Sequence, residues 1–146
     1  MSGKEVFMAK YGGEHHLDKM FDLNHAISYM TKAKSYVTAL EENPNINSKH
    51  LRDAMQMGNS YIRQAAVSHP LADTSLLRDA MGDYSHDVHE AALNNEHIET
   101  PDDVIHRGLH SDSTYVRRSA VDSYYRKYPD GDHEDFEKQP MEYPEY

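Results

Sequence analysis

Cysteine and tryptophan are absent from the 146 residues, and phenylalanine occurs only three times. The lack of cysteine excludes disulfides, thiolate metal sites and a cysteine nucleophile. It leaves the redox compartment open, because a cysteine-free chain is stable in either setting. No apolar run approaches the roughly 20 residues of a membrane span. The opening MSGKEVFMAK has no apolar signal core, and residue 2 is Ser rather than the Gly of a myristoylation motif. The expectation is a cytoplasmic chain. GxSxG, P-loop, GxGxxG, HExxH and kinase signatures are also missing, so no enzyme is expected.

What is present is charge, histidine and tyrosine. The formal charge is -10, with 11 His and 11 Tyr, and the length suits one domain. The charge is uneven. Residues 1–42 hold 5 basic and 6 acidic side chains, residues 43–128 hold 9 and 12, and residues 129–146 hold 1 and 7. The body is nearly balanced, and the acidity belongs mainly to the C-terminal segment.

The chain repeats itself. Residues 50–67, HLRDAMQMGNSYIRQAAV, align without a gap to residues 76–93, LLRDAMGDYSHDVHEAAL, at a spacing of 26. A third copy, VIHRGLHSDSTYVRRSAV at 104–121, follows at a spacing of 28. Residues 24–43 form a weaker fourth unit. Each clear copy predicts two short helices, since Leu51, Ala54 and Met55, then Ile62, Ala65 and Ala66, fall at i, i+3, i+4. Expected caps are Asn47 or Ser48, Asp73 or Thr74, and Thr100 for the first helices. Ser60, Ser85 or His86, and Ser113 serve the second helices. Pro101 is placed in the first turn of its helix. Asn43-Pro44 and His69-Pro70 end second helices, because a residue before proline avoids the helical region. No such pair buries its apolar stripe alone, so the core forms by stacking.

The segment YIRQAAVSHPLADTSLLRDAM resembles the leucine-rich repeat variant, a short α-helical relative of HEAT and armadillo repeats. The resemblance covers about residues 43–126. It rests on Ile62-Arg63, Ala65, Ala66, Val67 and His69-Pro70, and on Val116-Arg117, Ser119, Ala120 and Val121 in the third copy. In the middle copy His89 replaces the Arg and Asn95-Glu96 replaces Asn-Pro. It implies an all-α fold, a short right-handed solenoid of stacked helix pairs, and a binding scaffold.

The expected organisation is a flexible segment at 1–13, a helical repeat domain at 14–128 and an acidic tail at 129–146. Clear repeats fall near 47–69, 73–95 and 100–128. Residues 14–42, with Met30, Tyr36, Val37 and Leu40 among the apolar positions, supply one or two capping helices. The tail has too little apolar content to fold alone. Its Phe136, Met141, Tyr143 and Tyr146 are spaced like anchors of a docking peptide.

Candidate chemistry is sparse. His106 and His110 are i, i+4, and His86 and His89 are i, i+3, spacings at which helical histidines bind zinc or nickel. No third ligand is apparent, so solvated surface histidines are expected, with no metal or cofactor. Asp102-Asp103 is placed to offset a helix dipole. Arg52 and Arg78 are aligned, as are Arg63 and Arg117, with Arg118 adjacent. They read as a structural ladder pairing with Asp53, Asp79 or Asp83, or as a basic ridge for phosphates.

The expected function is a non-enzymatic interaction scaffold: an adaptor, inhibitor or assembly component. It would bind a basic protein surface through Arg63, His89, Arg117 and Arg118 and through the tail residues Asp130, Asp132, Glu134, Asp135, Phe136, Glu137, Tyr143 and Tyr146. A small charged array of this kind would also suit a viral or mobile-element accessory protein. The alternatives are nucleic-acid binding through the arginine ridge and partial mimicry of nucleic-acid charge. A chain of charge -10 is repelled by nucleic acid at long range, and its mixed-sign body weakens the mimicry reading.

Overall fold

The computed structural model describes residues 23–144, and these are helical with no strand. The expected flexible segment 1–13, the start of the N-terminal cap and Tyr146 lie outside the described residues. Eight helices are present among those described. They are α1 Leu23–Glu42, α2 Ser48–Met55, α3 Ser60–Ser68, α4 Thr74–Ala80, α5 His86–Leu93, α6 Asp102–Leu109, α7 Thr114–Lys127 and α8 His133–Lys138. The pairs α2–α3, α4–α5 and α6–α7 coincide with the three aligned segments.

Local chemistry sets the helix starts. Asn47 caps α2 by accepting from the Lys49 and His50 amides, and His50 Nδ1 accepts from the Asn47 amide in return. Asn59 caps α3, Asp73 caps α4, Ser113 caps α7 and Asp132 caps α8. Two expectations shift by one residue. Ser60 lies inside α3, because the Asn59 carboxamide takes the Tyr61 and Ile62 amides. Pro101 rather than Thr100 occupies the cap of α6; its backbone is extended (φ -61, ψ 146), and the Thr100 hydroxyl is buried without a partner. His69, extended before Pro70, ends α3.

The second helices form the spine: α1 packs on α3, α3 on α5 and α5 on α7, while each first helix lies against its own partner. Fully buried Leu77, Val88, Leu93, Val104, Ile105 and Val116 form the heart of one core cluster. A second cluster joins Ala33 and Leu40 of α1 to Leu51, Ile62 and Leu76. Met30 departs from the expected apolar face and is 52% exposed. Small residues let the spine close. A Cβ on Gly108 would lie 2.8 Å from both Ala120 Cβ and Leu93 Cδ1, so α6 meets α5 and α7 at a distance only glycine allows.

The acidic C-terminal segment is docked on the body. After the Pro129–Gly131 turn, α8 packs on α6 and α7, and Phe136 enters the main core cluster. Its ring lies 5.0 Å from that of Tyr124 and 5.9 Å, edge-on, from His106. The segment lacks the apolar content for a core of its own, yet one phenylalanine and Met141 suffice to seal the open end of an existing one.

Candidate functional site

Each aligned side chain Arg63, His89 and Arg117 of the second helices is held by its own chain. Arg63 donates to the Met57 carbonyl at 2.7 Å, His89 to that of Asp83 at 2.7 Å and Arg117 to that of Ser111 at 2.7 Å. Each contact reaches back six residues, across the turn between the two helices of a pair. The repeated residue therefore fastens a turn. Arg63 also forms a bidentate ion pair with Asp83 at 2.7 and 3.1 Å, and both side chains are largely buried. Arg52 reaches Asp73 at 2.9 Å, and Arg78 forms a bidentate pair with Asp103 at 3.0 and 3.2 Å. Of the five arginines expected to form the ridge, Arg52 and Arg118 are exposed, and Arg52 is engaged by Asp73. The donors that a phosphate-binding ridge would need on Arg63 and Arg117 are already engaged.

A second ladder secures the far ends of the spine helices. The accepting carbonyls are those of Leu40, Val67 and Leu93, near the ends of α1, α3 and α5; Val67 and Leu93 are aligned, and Leu40 lies one residue before the position aligned with them. These carbonyls accept from His69 Nε2 at 2.9 Å, Asn95 Nδ2 at 2.8 Å and Arg126 at 2.8 Å. His69 and Asn95 are aligned residues and each also accepts the amide two positions on, at 3.0 and 2.8 Å. In the third segment α7 runs on through Ser123, so Arg126 takes this role one turn later.

The histidine pairs likewise have internal partners. His106 and His110 both donate from Nε2 to the Glu137 carbonyl, at 3.1 and 3.0 Å. With that proton on Nε2, Nδ1 of a neutral His106 accepts from the Tyr143 hydroxyl at 2.5 Å. Arg107 stacks over the Tyr143 ring at 4.2 Å. His86 lies 3.3 Å from Asp112. Among the described residues no group of three or more His, Asp or Glu is placed to hold a metal ion.

The tail residues separate into two sets. Phe136 is buried, and Glu137 and Tyr143 tie the segment to α6. Asp130, Asp132, Glu134 and Asp135 remain exposed around the end of the molecule. An ionic cluster with shifted pKa values lies nearby. Lys127 contacts Asp102 at 2.8 Å and Glu99 at 3.4 Å, and Tyr128 donates to Asp102 at 2.7 Å. Burial alone would raise the Asp102 pKa, but the hydrogen bonds from Lys127 and Tyr128 and the Lys127 charge outweigh it, and the net shift is downward. Burial opposes the charge of Lys127, yet Asp102 holds its pKa above the usual range.

What sequence reasoning missed is the turn edge. The α2–α3, α4–α5 and α6–α7 turns lie along one side, since Arg63 of α3 reaches Asp83 in the second turn and His86 of α5 reaches Asp112 in the third. Along this edge Tyr84 is fully exposed, Tyr61 is 63% exposed and Tyr115 68%. Between the first two turns lies an open cleft of about 470 Å³, lined by Met55, Met57, Arg63, Asp79, Asp83 and Tyr84, with backbone from the intervening glycines. The available signal was the position of Tyr61 and Tyr115, which align with each other through Asp87, and of Tyr84 and Met57 in turns where polar residues are ordinary.

The chain matches no protein-family model, no curated protein and no solved structure. Among the described residues no helix is long and apolar enough to cross a membrane.

Proposed function

We propose that this chain is a non-enzymatic scaffold, a short right-handed solenoid of HEAT-like helix pairs, that binds another protein along its turn edge. The observation that carries the reading is the row of exposed tyrosines, Tyr61, Tyr84 and Tyr115, beside the Met-lined cleft. Tyrosine and methionine are enriched in protein interfaces, where a large ring or thioether offers contact area at little entropic cost. The internal engagement of Arg63, His89 and Arg117 supports a contact surface built from these side chains rather than from the basic ridge. The exposed acids of the C-terminal segment would steer a basic partner and select for it, and would add less to affinity.

The test is a pull-down from nuclease-treated extract of the source cell. The full chain is compared with a Tyr61→Ser, Tyr84→Ser, Tyr115→Ser variant and with a Glu134→Gln, Asp135→Asn variant. Truncation at residue 128 is not a clean control, because it also removes Phe136 from the core. A protein enriched by the full chain and lost with the tyrosine variant is the expected result. Equal recovery by all three chains, or recovery of nucleic acid alone once nuclease is omitted, overturns it.

A further inference from the structure

The cleft between the first two turns is suited to one kind of occupant. Met55 and Met57 present thioethers, Tyr84 presents a wholly exposed ring, and Asp79 presents an exposed carboxylate with no partner among the described residues. Arg63 also lines the cleft, but Asp83 neutralises it in a bidentate pair and the Met57 carbonyl takes another of its donors. The lining thus carries one basic and two acidic groups, and the uncompensated charge is that of Asp79. Among the three aligned segments the site occurs once. The residue aligned with Asp79 in the first segment, Asp53, has Lys49 at 4.0 Å, and in the third segment the position is Arg107.

Resting on the scaffold reading, we propose that this cleft receives a single arginine or lysine side chain carried on a peptide segment of the partner protein. A long cationic side chain has an apolar stem and a charged head. The stem matches the flexible methionine surface. The head reaches Asp79, and the face of Tyr84 attracts it further. Arginine fits better than lysine, because its planar fork pairs with a carboxylate through two parallel bonds and stacks on an aromatic ring. An acidic side chain meets Asp79 head-on, and a purely apolar one leaves that carboxylate unused.

The experiment uses the full chain with 13C-labelled methionine methyl groups, Met55 and Met57 being assigned by Met→Leu substitution. The probes are Gly-Gly-Xaa-Gly-Gly peptides with arginine, lysine, norleucine or glutamate at the centre. The arginine peptide is expected to shift the Met55 and Met57 methyls, the lysine peptide less strongly, and the glutamate peptide not at all. Asp79→Asn should weaken arginine-peptide binding about tenfold, the loss of one charge-assisted contact, whereas Asp53→Asn should leave it unchanged. Equal binding of norleucine and arginine, or an unaltered affinity in Asp79→Asn, overturns the cationic occupant while leaving the scaffold reading intact. Absence of any Met55 or Met57 response to the arginine peptide overturns the cleft as the site. The tyrosine-variant pull-down reports separately on the scaffold reading.

Discussion

Arg63 and Arg52 look alike in the sequence, each beginning a ladder of aligned cations, but their surroundings give them different weights. Arg63 and Asp83 are 15% and 9% exposed in their side chains, and each makes further bonds to backbone. Removing Arg63 leaves a largely buried carboxylate without its counter-charge and with the Ser85 amide as its remaining bond, so Arg63→Ala should cost about 2–4 kcal/mol. Arg52 and Asp73 are nearly half exposed, and Arg52→Ala should cost less than about 1 kcal/mol. Urea denaturation of the two variants checks the contrast, and Arg63→Ala combined with Asp83→Ala should recover part of the loss. Asn95 makes a similar point without charge. It is buried, donates to Val67 and His69 carbonyls and accepts from the His97 amide. Asn95→Ala should cost about 1–3 kcal/mol, because it strands the buried Val67 carbonyl.

At the scale of the element, α8 shows how a segment too polar to fold alone becomes structured. Its six residues hold one buried apolar side chain, Phe136, and the helix is fastened by Asp132 at its start and by His106 and His110 at the Glu137 carbonyl. The exposed end of the main core supplies the surface the segment lacks. Phe136→Ala should lower stability by about 3 kcal/mol and make residues 129–144 sensitive to limited proteolysis, while α1–α5 stay folded. A melt showing no change would mean that α8 does not seal the core. Gly108 belongs to the same scale, as the point where α6 closes on α5 and α7. Gly108→Ala places a methyl 2.8 Å from Ala120 and Leu93, and the gain in helix propensity does not offset that overlap. A net loss of about 1–3 kcal/mol is expected in thermal unfolding.

For the whole molecule, pH acts through the cluster that joins the α6 start to the α7 end. Asp102 has a lowered pKa, so the folded state holds its proton less tightly than the unfolded chain does. Its contribution is present above the ordinary carboxylate range of about 4 and is lost as pH falls through the depressed value. Lys127 has a raised pKa, so its contribution is complete below about 10.4 and is lost as pH rises through the elevated value. Asp102→Asn should therefore destabilise the protein at pH 7 and flatten the acid limb of its stability profile. Equal slopes for Asp102→Asn and wild type would refute the assignment. Glu90 has the opposite sign. Burial first, then Asp87, raises its pKa, so Glu90→Gln should be neutral or slightly stabilising at pH 7.

The sequence by itself determined the helical class, the three helix pairs and most of their ends. These follow from local rules: apolar spacing at i, i+3, i+4, a capping side chain before the helix, and a proline after it. The aligned LRDAM and IRQAAV segments placed Leu51, Leu77, Ile62 and Val88 in the interior because periodicity alone dictates which face is apolar. What only the tertiary structure decided were partners distant along the chain. Whether Arg63 faces solvent or Asp83, whether Phe136 reaches a partner or the core, and whether Met57 and Tyr84 flank a common cleft depend on how one helix pair rests on the next. That placement brings together residues 20 to 30 positions apart through packing, and packing depends on the shape of both surfaces at once. A local pattern records only one of them.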